Sequence, residues 1–199
     1  MRPADIAREL RAADPVLGQV IRRVGVQAPP QSPGGFPALL RAIVFQQISG
    51  AAGASILRRV RAEYGGGRTP PARWFLEIPV ERLRSAGLSP QKVGYVRDLA
   101  GQVASGELRF PELRRRPDAE VLERLTEVRG IGEWTAQMYL LFHLGRPDVL
   151  PTGDLGLRKA VQRVYRRRSL PKPDVVERIG RRWSPWRSHA TFYLWRSLE

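Results

Sequence analysis

Cysteine is missing from the 199 residues, which excludes disulfides, thiolate zinc sites and any iron–sulfur cluster held by cysteine. Histidine is nearly so. His143 closes an apolar run and His189 lies among aromatics; two imidazoles are too few for a metal cluster, and both read as packing or cap residues. Lysine occurs only at positions 92, 159 and 172. No apolar run reaches membrane-spanning length and no charged-then-apolar leader opens the chain, so the expectation is a cytoplasmic protein at the nucleoid with no membrane partner. Stretches of alternating apolar residues never reach strand length, which argues against a sheet.

What the chain does have is arginine. With 34 Lys+Arg against 19 Asp+Glu, the formal net charge is +15, and guanidinium groups fork onto phosphates and stack on bases. Charge alone leaves two readings open, a polyanionic partner or the Arg and Ala enrichment of a GC-rich genome. A hydrophobic content of 42% is enough for a core in one domain or in two intimate lobes.

Helical punctuation dominates, and the expected fold is all-α. Pro3 to Leu10 and Pro15 to Val24 read as short helices, the second capped by Asp14. After a Pro/Gly-rich loop, Phe36, Leu39, Leu40, Ile43, Val44 and Ile48 recur at helical spacing. Ala51 to Tyr64 follows and ends in Gly65-Gly66-Gly67. Further helices are predicted over 71–76, 79–85, 90–104, 119–127, 133–144, 155–165, 174–183 and 185–198.

One stretch stands out: Val128-Arg129-Gly130-Ile131-Gly132-Glu133-Trp134-Thr135-Ala136, followed by Pro151-Thr152-Gly153-Asp154. Two glycines one residue apart let a tight turn between helices bring its backbone N–H groups up to a phosphate. Asp154 stands between Gly153 and a helical run, which is an N-cap position. A carboxylate there meets N–H donors and the positive end of the helix dipole, and as an anion it is suited to stabilise a positive charge that develops beside it. The two roles are compatible.

These segments resemble the helix-hairpin-helix, Gly/Pro-loop and Asp signature of the base-excision DNA glycosylase superfamily. Phe45-Gln46-Gln47-Ile48-Ser49, Gly87 with Ser89-Pro90-x-Lys92, and Trp183-Ser184-Pro185-Trp186-Arg187-Ser188 are similar to its 3-methyladenine DNA glycosylase II branch, the AlkA type. The likeness runs from about Phe36 to the C-terminus. It implies two helical lobes with an active site in the cleft between them: residues 36–143 as a six-helix barrel containing the hairpin (126–134), and residues 1–35 plus 144–199 as the second lobe. An extra N-terminal β-rich domain, common in the family, is expected to be lacking.

The resemblance also implies roles. Asp154 would be catalytic. Trp134 and Trp186 would face a flipped base, with Phe45, Met138, Tyr139 and Leu155 around it, although packing explains Phe45 and Tyr139 equally well and Trp186 is as readily a core residue. Trp74, Trp183 and Trp195 are read as packing residues. Where strand-nicking members carry a Schiff-base lysine this chain has Trp134, so simple hydrolysis is expected. The hairpin (Arg129, Gly130, Gly132 and Thr135), Gln46, Gln47 and Ser49 would hold the strand. Ala86, at the wedge position before Gly87, is too small to fill the gap left by an extruded base, and Leu88 is the substitute. Backbone carbonyls of Thr126, Val128 and Ile131 would hold a sodium or potassium ion; the chemistry itself requires no cofactor.

At the positions that carry the match, where 133 is unspecified, there is no second carboxylate or histidine to protonate a neutral leaving base. N-alkylated purines such as 3-methyladenine and 7-methylguanine already carry positive charge. The expectation is a monofunctional, monomeric glycosylase that releases alkylated bases from damaged duplex DNA. The alternatives are a glycosylase for deaminated or oxidised bases and a non-catalytic lesion-binding helix-hairpin-helix protein.

Overall fold

The computed structural model describes residues 1–199, and its regular structure is helical throughout. The chain begins with α1 (Pro3–Ala13) and α2 (Pro15–Val24). Eight helices follow: α3 (Phe36–Phe45), α4 (Gly50–Glu63), α5 (Trp74–Glu77), α6 (Val80–Ser85), α7 (Pro90–Ser105), α8 (Phe110–Leu113), α9 (Asp118–Thr126) and α10 (Glu133–Tyr139). A π-helical turn (Leu140–Leu144) continues α10, and α11 (Leu155–Val164), α12 (Pro173–Gly180) and α13 (Arg187–Arg196) complete the chain. No helix is long and apolar enough to cross a membrane.

Two compact units result, Pro33–Tyr139 and Met1–Ser32 with Leu140–Glu199. Their boundaries lie a few residues from the 36 and 143 read from sequence. The chain crosses between units where α10 becomes π-helical.

Local chemistry explains most helix starts. Asp14 caps α2 by accepting from the backbone N–H groups of Val16 (3.0 Å) and Leu17 (3.1 Å). Ser49 and Ser89 cap α4 and α7 through Ala52 N and Lys92 N, each cap being worth about 1 kcal/mol. In the unit formed by both ends of the chain, Leu10 of α1, Leu17 and Ile21 of α2, Leu157 and Val161 of α11, and Tyr193 of α13 pack with Trp183 into one core. Each buried aliphatic side chain there contributes about 2 kcal/mol.

Two local features depart from the sequence pattern. The apolar periodicity of α3 runs on to Ile48, but the helix ends at Phe45 because Gln47 adopts a left-handed φ of 55°, and Ile48 is exposed. The four-residue helix α8, which follows Gly106 and Leu108, is too short for periodicity to reveal.

Candidate active site and hairpin

In the unit formed by both ends of the chain, Asp154 caps α11. Its Oδ1 accepts from Leu157 N at 2.6 Å and from the indole Nε1 of Trp195 at 2.8 Å. The second donor corrects the reading of Trp195 as a packing residue. Trp195 lies on α13, stacks on Phe142 with ring centroids 6.0 Å apart and planes 20° apart, and directs its N–H at the carboxylate. Gly156 makes this approach possible. A Cβ there would lie 3.1 Å from Asp154 Oδ1 and 3.3 Å from Trp195 Nε1, so a side chain would press on the bond itself. Leu155, next to Asp154, is half exposed.

The Trp183-to-Ser188 motif acts as the scaffold for this arrangement. Arg187 grips Asp148 with two side-chain bonds, Nε to Oδ1 at 2.8 Å and Nη2 to Oδ2 at 3.0 Å, while Ser184 donates to Oδ2 at 2.8 Å. Burial acts to raise the Asp148 carboxyl, and the bonds from Arg187 and Ser184 outweigh it, holding the group below its ordinary value. Ser188 Oγ donates to Arg146 O and accepts from Val149 N. These contacts tie residues 146–149, which lead into the Pro151-to-Asp154 turn, to the start of α13, which carries Trp195 in its last turn. Trp186 donates to Glu9 at 2.6 Å and meets His189 edge to face. It also packs against the core of its own unit, so a structural role accounts for it.

In the other unit, the hairpin between α9 and α10 is closed by Ile131 N donating to Val128 O at 3.0 Å. Its two glycines differ. Gly130 has φ 84°, and a Cβ there would overlap the Tyr95 ring; a Cβ at Gly132 would meet no other atom within 4 Å. The first glycine is required by packing, and the second leaves a face open to close approach.

Two signature segments are linked to this hairpin, that of Gln46 directly and that of Lys92 through it. Gln46 Nε2 donates to Gly130 O at 2.7 Å, and Lys92 Nζ donates to Val44 O (2.8 Å) and Gln46 O (2.7 Å). Lys92 thereby satisfies carbonyls at the end of α3, and its burial pushes the ammonium pKa down. Arg129 is held by Asp98 on α7, through its backbone N at 2.9 Å and its Nε at 2.8 Å. Gln46 and Arg129 therefore brace the turn. Thr135 is buried, and Ser49 uses its hydroxyl as a cap. Gln47 is exposed in its strained conformation.

Trp134 is 53% exposed on α10, with Met138 half-buried one turn on. Tyr139 is interior: its hydroxyl accepts from Gly35 N at 2.7 Å, its ring neighbours Phe110, and burial raises its pKa. Phe45 packs on Gly53, where a Cβ would come within 2.7 Å of the ring, and the Arg41 guanidinium lies 3.8 Å from the ring centroid. The expected wedge is corrected too. Ala86 and Leu88 are both buried, with Ala86 O accepting from Arg59 Nε at 2.8 Å, so neither side chain projects. Gly87, at φ 103°, leaves space that Arg59 occupies.

Comparison with known proteins agrees with these features. A Bacillus subtilis protein named putative DNA-3-methyladenine glycosylase YfjP is 31% identical over 82% of this chain, which spans 59% of that protein's length. A crystal structure of DNA-3-methyladenine glycosidase from Bacillus halodurans superposes with a TM-score of 0.89 at 35% identity, covering 96% of this chain and 88% of that one. The Schizosaccharomyces pombe 3-methyladenine DNA glycosylase Mag1, solved in complex with abasic DNA, gives 0.85 at 28% identity, covering 97% and 96%. Residues 40–185 match the family described as HhH-GPD superfamily base excision DNA repair protein, and the chain belongs to that family.

Proposed function

We propose that the protein is a monofunctional DNA glycosylase that hydrolyses the bond between C1′ and an alkylated base such as 3-methyladenine or 7-methylguanine. The observation that carries this reading is Asp154, whose Oδ1 is fixed by a helix N–H and an indole N–H. As the C1′–N bond breaks, its electron pair leaves with the base and neutralises the charge that alkylation placed there. The positive charge moves to the sugar, facing the carboxylate. A water then adds its oxygen to C1′ and its proton passes to solvent, leaving an abasic site. A carboxylate about 4 Å from the developing cation, at an effective dielectric near 20, is worth about 4 kcal/mol, or about a thousandfold in rate. That suffices for a base already activated by its own charge.

The names of the relatives support the same substrate class. The exposed indole of Trp134 offers a face for a cationic base, at about 0.5–2 kcal/mol for a cation–π contact. Hydrolysis rather than strand cleavage follows from an indole standing where a Schiff-base lysine would be, with Lys92 engaged by two carbonyls. Duplex DNA would be held at the hairpin by backbone groups beside Gly132. The carbonyls of Thr126, Val128 and Ile131 would hold a sodium or potassium ion, being hard oxygen donors of the kind alkali ions take. Val128 O uses one lone pair on Ile131 N and keeps a second. An ion held there would supply positive charge at the turn for a phosphate. We infer a monomer working in the cytoplasm on nucleoid DNA.

The test is to identify the free bases liberated from methylated DNA by the wild type and by Asp154→Asn. Release of 3-methyladenine or 7-methylguanine by the wild type alone is expected. Release of only deaminated or oxidised bases from other lesion duplexes would replace the substrate class, and binding without any abasic product would replace the enzyme by a lesion-binding protein.

A further inference from the structure

About 15 Å from Asp154, at the other end of the ten-residue α11, the same unit carries a basic hollow. A concavity of about 400 Å³ is lined by Val16, Gln19 and Arg23 of α2 and by Arg163 and Arg166 at the end of α11, with Val20 in its wall. The α2 residues recur at i, i+3, i+4 and i+7 and so share one helix face. No carboxylate is among the lining residues. Three arginines therefore line a small hollow with an apolar wall, and Arg23 also donates through Nη2 to Ser197 O at 3.5 Å.

The backbone at Arg166 is the independent observation. α11 ends with Arg167 N donating to Gln162 O at 2.9 Å and Arg166 N to Arg163 O at 3.4 Å. That bond pattern places Arg166 at the left-handed position a helix terminus ordinarily gives to glycine, and its φ is 50°. At the end of α7 this same chain uses Gly106, at φ 81°. A side chain at such a position costs conformational energy that glycine avoids. Basic residues near a helix C-terminus are favourable in general, but that explains Arg163 without requiring strain at Arg166.

We propose that Arg23, Arg163 and Arg166 form a binding site for the phosphates of a nucleic-acid backbone, separate from the hairpin and from Asp154. Forked guanidinium groups match phosphate oxygens in pairs, and Val16 and Val20 offer the carbon face of a sugar an apolar wall. A strand gripped here adds sequence-independent affinity to whatever the lesion contributes. The site stands or falls independently of the chemistry assigned to Asp154.

The test uses the full chain and two probes, inorganic pyrophosphate followed by calorimetry and an undamaged 30-base-pair duplex titrated across NaCl concentrations. Arg163→Gln/Arg166→Gln should weaken pyrophosphate binding at least tenfold and flatten the slope of log K against log [NaCl] by about 1 to 2, since each phosphate contact contributes about 0.9. Arg115→Gln/Arg116→Gln, in a hollow of the other unit that also contains Glu112 and Glu120, should change neither. Arg166→Gly should raise the melting temperature and still weaken both ligands, an opposition that a merely structural arginine would not produce. Loss of pyrophosphate binding with an unchanged salt slope would replace the nucleic acid by a free polyphosphate. Equal flattening by the control pair would reduce the effect to diffuse charge, and Arg166→Gly binding as tightly as wild type would remove the site.

Discussion

Asp14 and Asp154 invite comparison because they share the same local chemistry. Each caps a helix, α2 or α11, and each accepts a hydrogen bond from an indole N–H, that of Trp183 or Trp195. Asp14 is fully buried. Its Oδ1 takes Val16 N and Leu17 N, and its Oδ2 takes Tyr165 Oη at 2.7 Å and Trp183 Nε1 at 2.9 Å. Asp154 is only partly buried, and the helix and indole donors both fall on its Oδ1. One motif thus serves as a strut where four donors enclose it, and as a candidate reaction centre where its environment is more open. What distinguishes them is burial, not residue type.

Exchanging the carboxylates should break the comparison most clearly. Asp154→Asn should lower base release about a thousandfold or more while shifting the urea midpoint little. Asp14→Asn should destabilise by about 3 kcal/mol, because an amide cannot accept from all four donors, yet leave turnover per folded molecule near normal. Loss of activity in a folded Asp14→Asn, or full activity in Asp154→Asn, would erase the distinction.

The indoles should separate next. Trp183→Phe leaves a buried oxygen short of a donor and should cost about 1–3 kcal/mol in chemical denaturation. Trp195→Phe keeps the ring and removes the N–H, and about tenfold slower single-turnover release is expected, equivalent to about 1.4 kcal/mol. An unchanged rate would return Trp195 to a packing role.

Proton linkage sharpens the same contrast. Burial, reinforced by the bond to Asp14 and its charge, pushes the Tyr165 phenol far above its ordinary value. A raised phenol pKa means that the folded protein holds this proton more tightly than the unfolded chain. The contribution is complete below the unfolded value, near 10, and declines as pH rises beyond it. Unfolding measured from pH 9 to 11 should therefore show a steeper alkaline loss in wild type than in Tyr165→Phe; equal slopes would contradict it. The smallest effect is expected for Gly156→Ala, whose Cβ would lie 3.1 Å from Asp154 Oδ1. Release should slow a few-fold with stability nearly unchanged, and a faster enzyme would show that the Asp154–Trp195 bond is not needed at its present length.

The hairpin teaches a related lesson about legibility. Its two glycines are equivalent in the sequence pattern, but Tyr95 on α7 makes one a packing requirement and leaves the other bare. Arg129 and Gln46 carry the right chemistry for a phosphate or an orphaned base, and partners distant in sequence, Asp98 and Gly130, engage them instead. The end of α3 was obscured for a similar reason: apolar spacing continues to Ile48, and only the left-handed turn at Gln47 stops the helix.

By itself the sequence determined the helical class, most helix starts, the hairpin turn and Asp154 as an N-cap, because caps, turns and amphipathic stripes are interactions among residues a few positions apart. The tertiary structure alone decided that an indole 41 residues away reaches Asp154 and that Lys92 joins Val44 and Gln46. It also decided that Ala86 and Leu88 are covered rather than projecting. Burial and long-range hydrogen bonding depend on which surfaces meet once the helices pack, and no local pattern encodes that meeting.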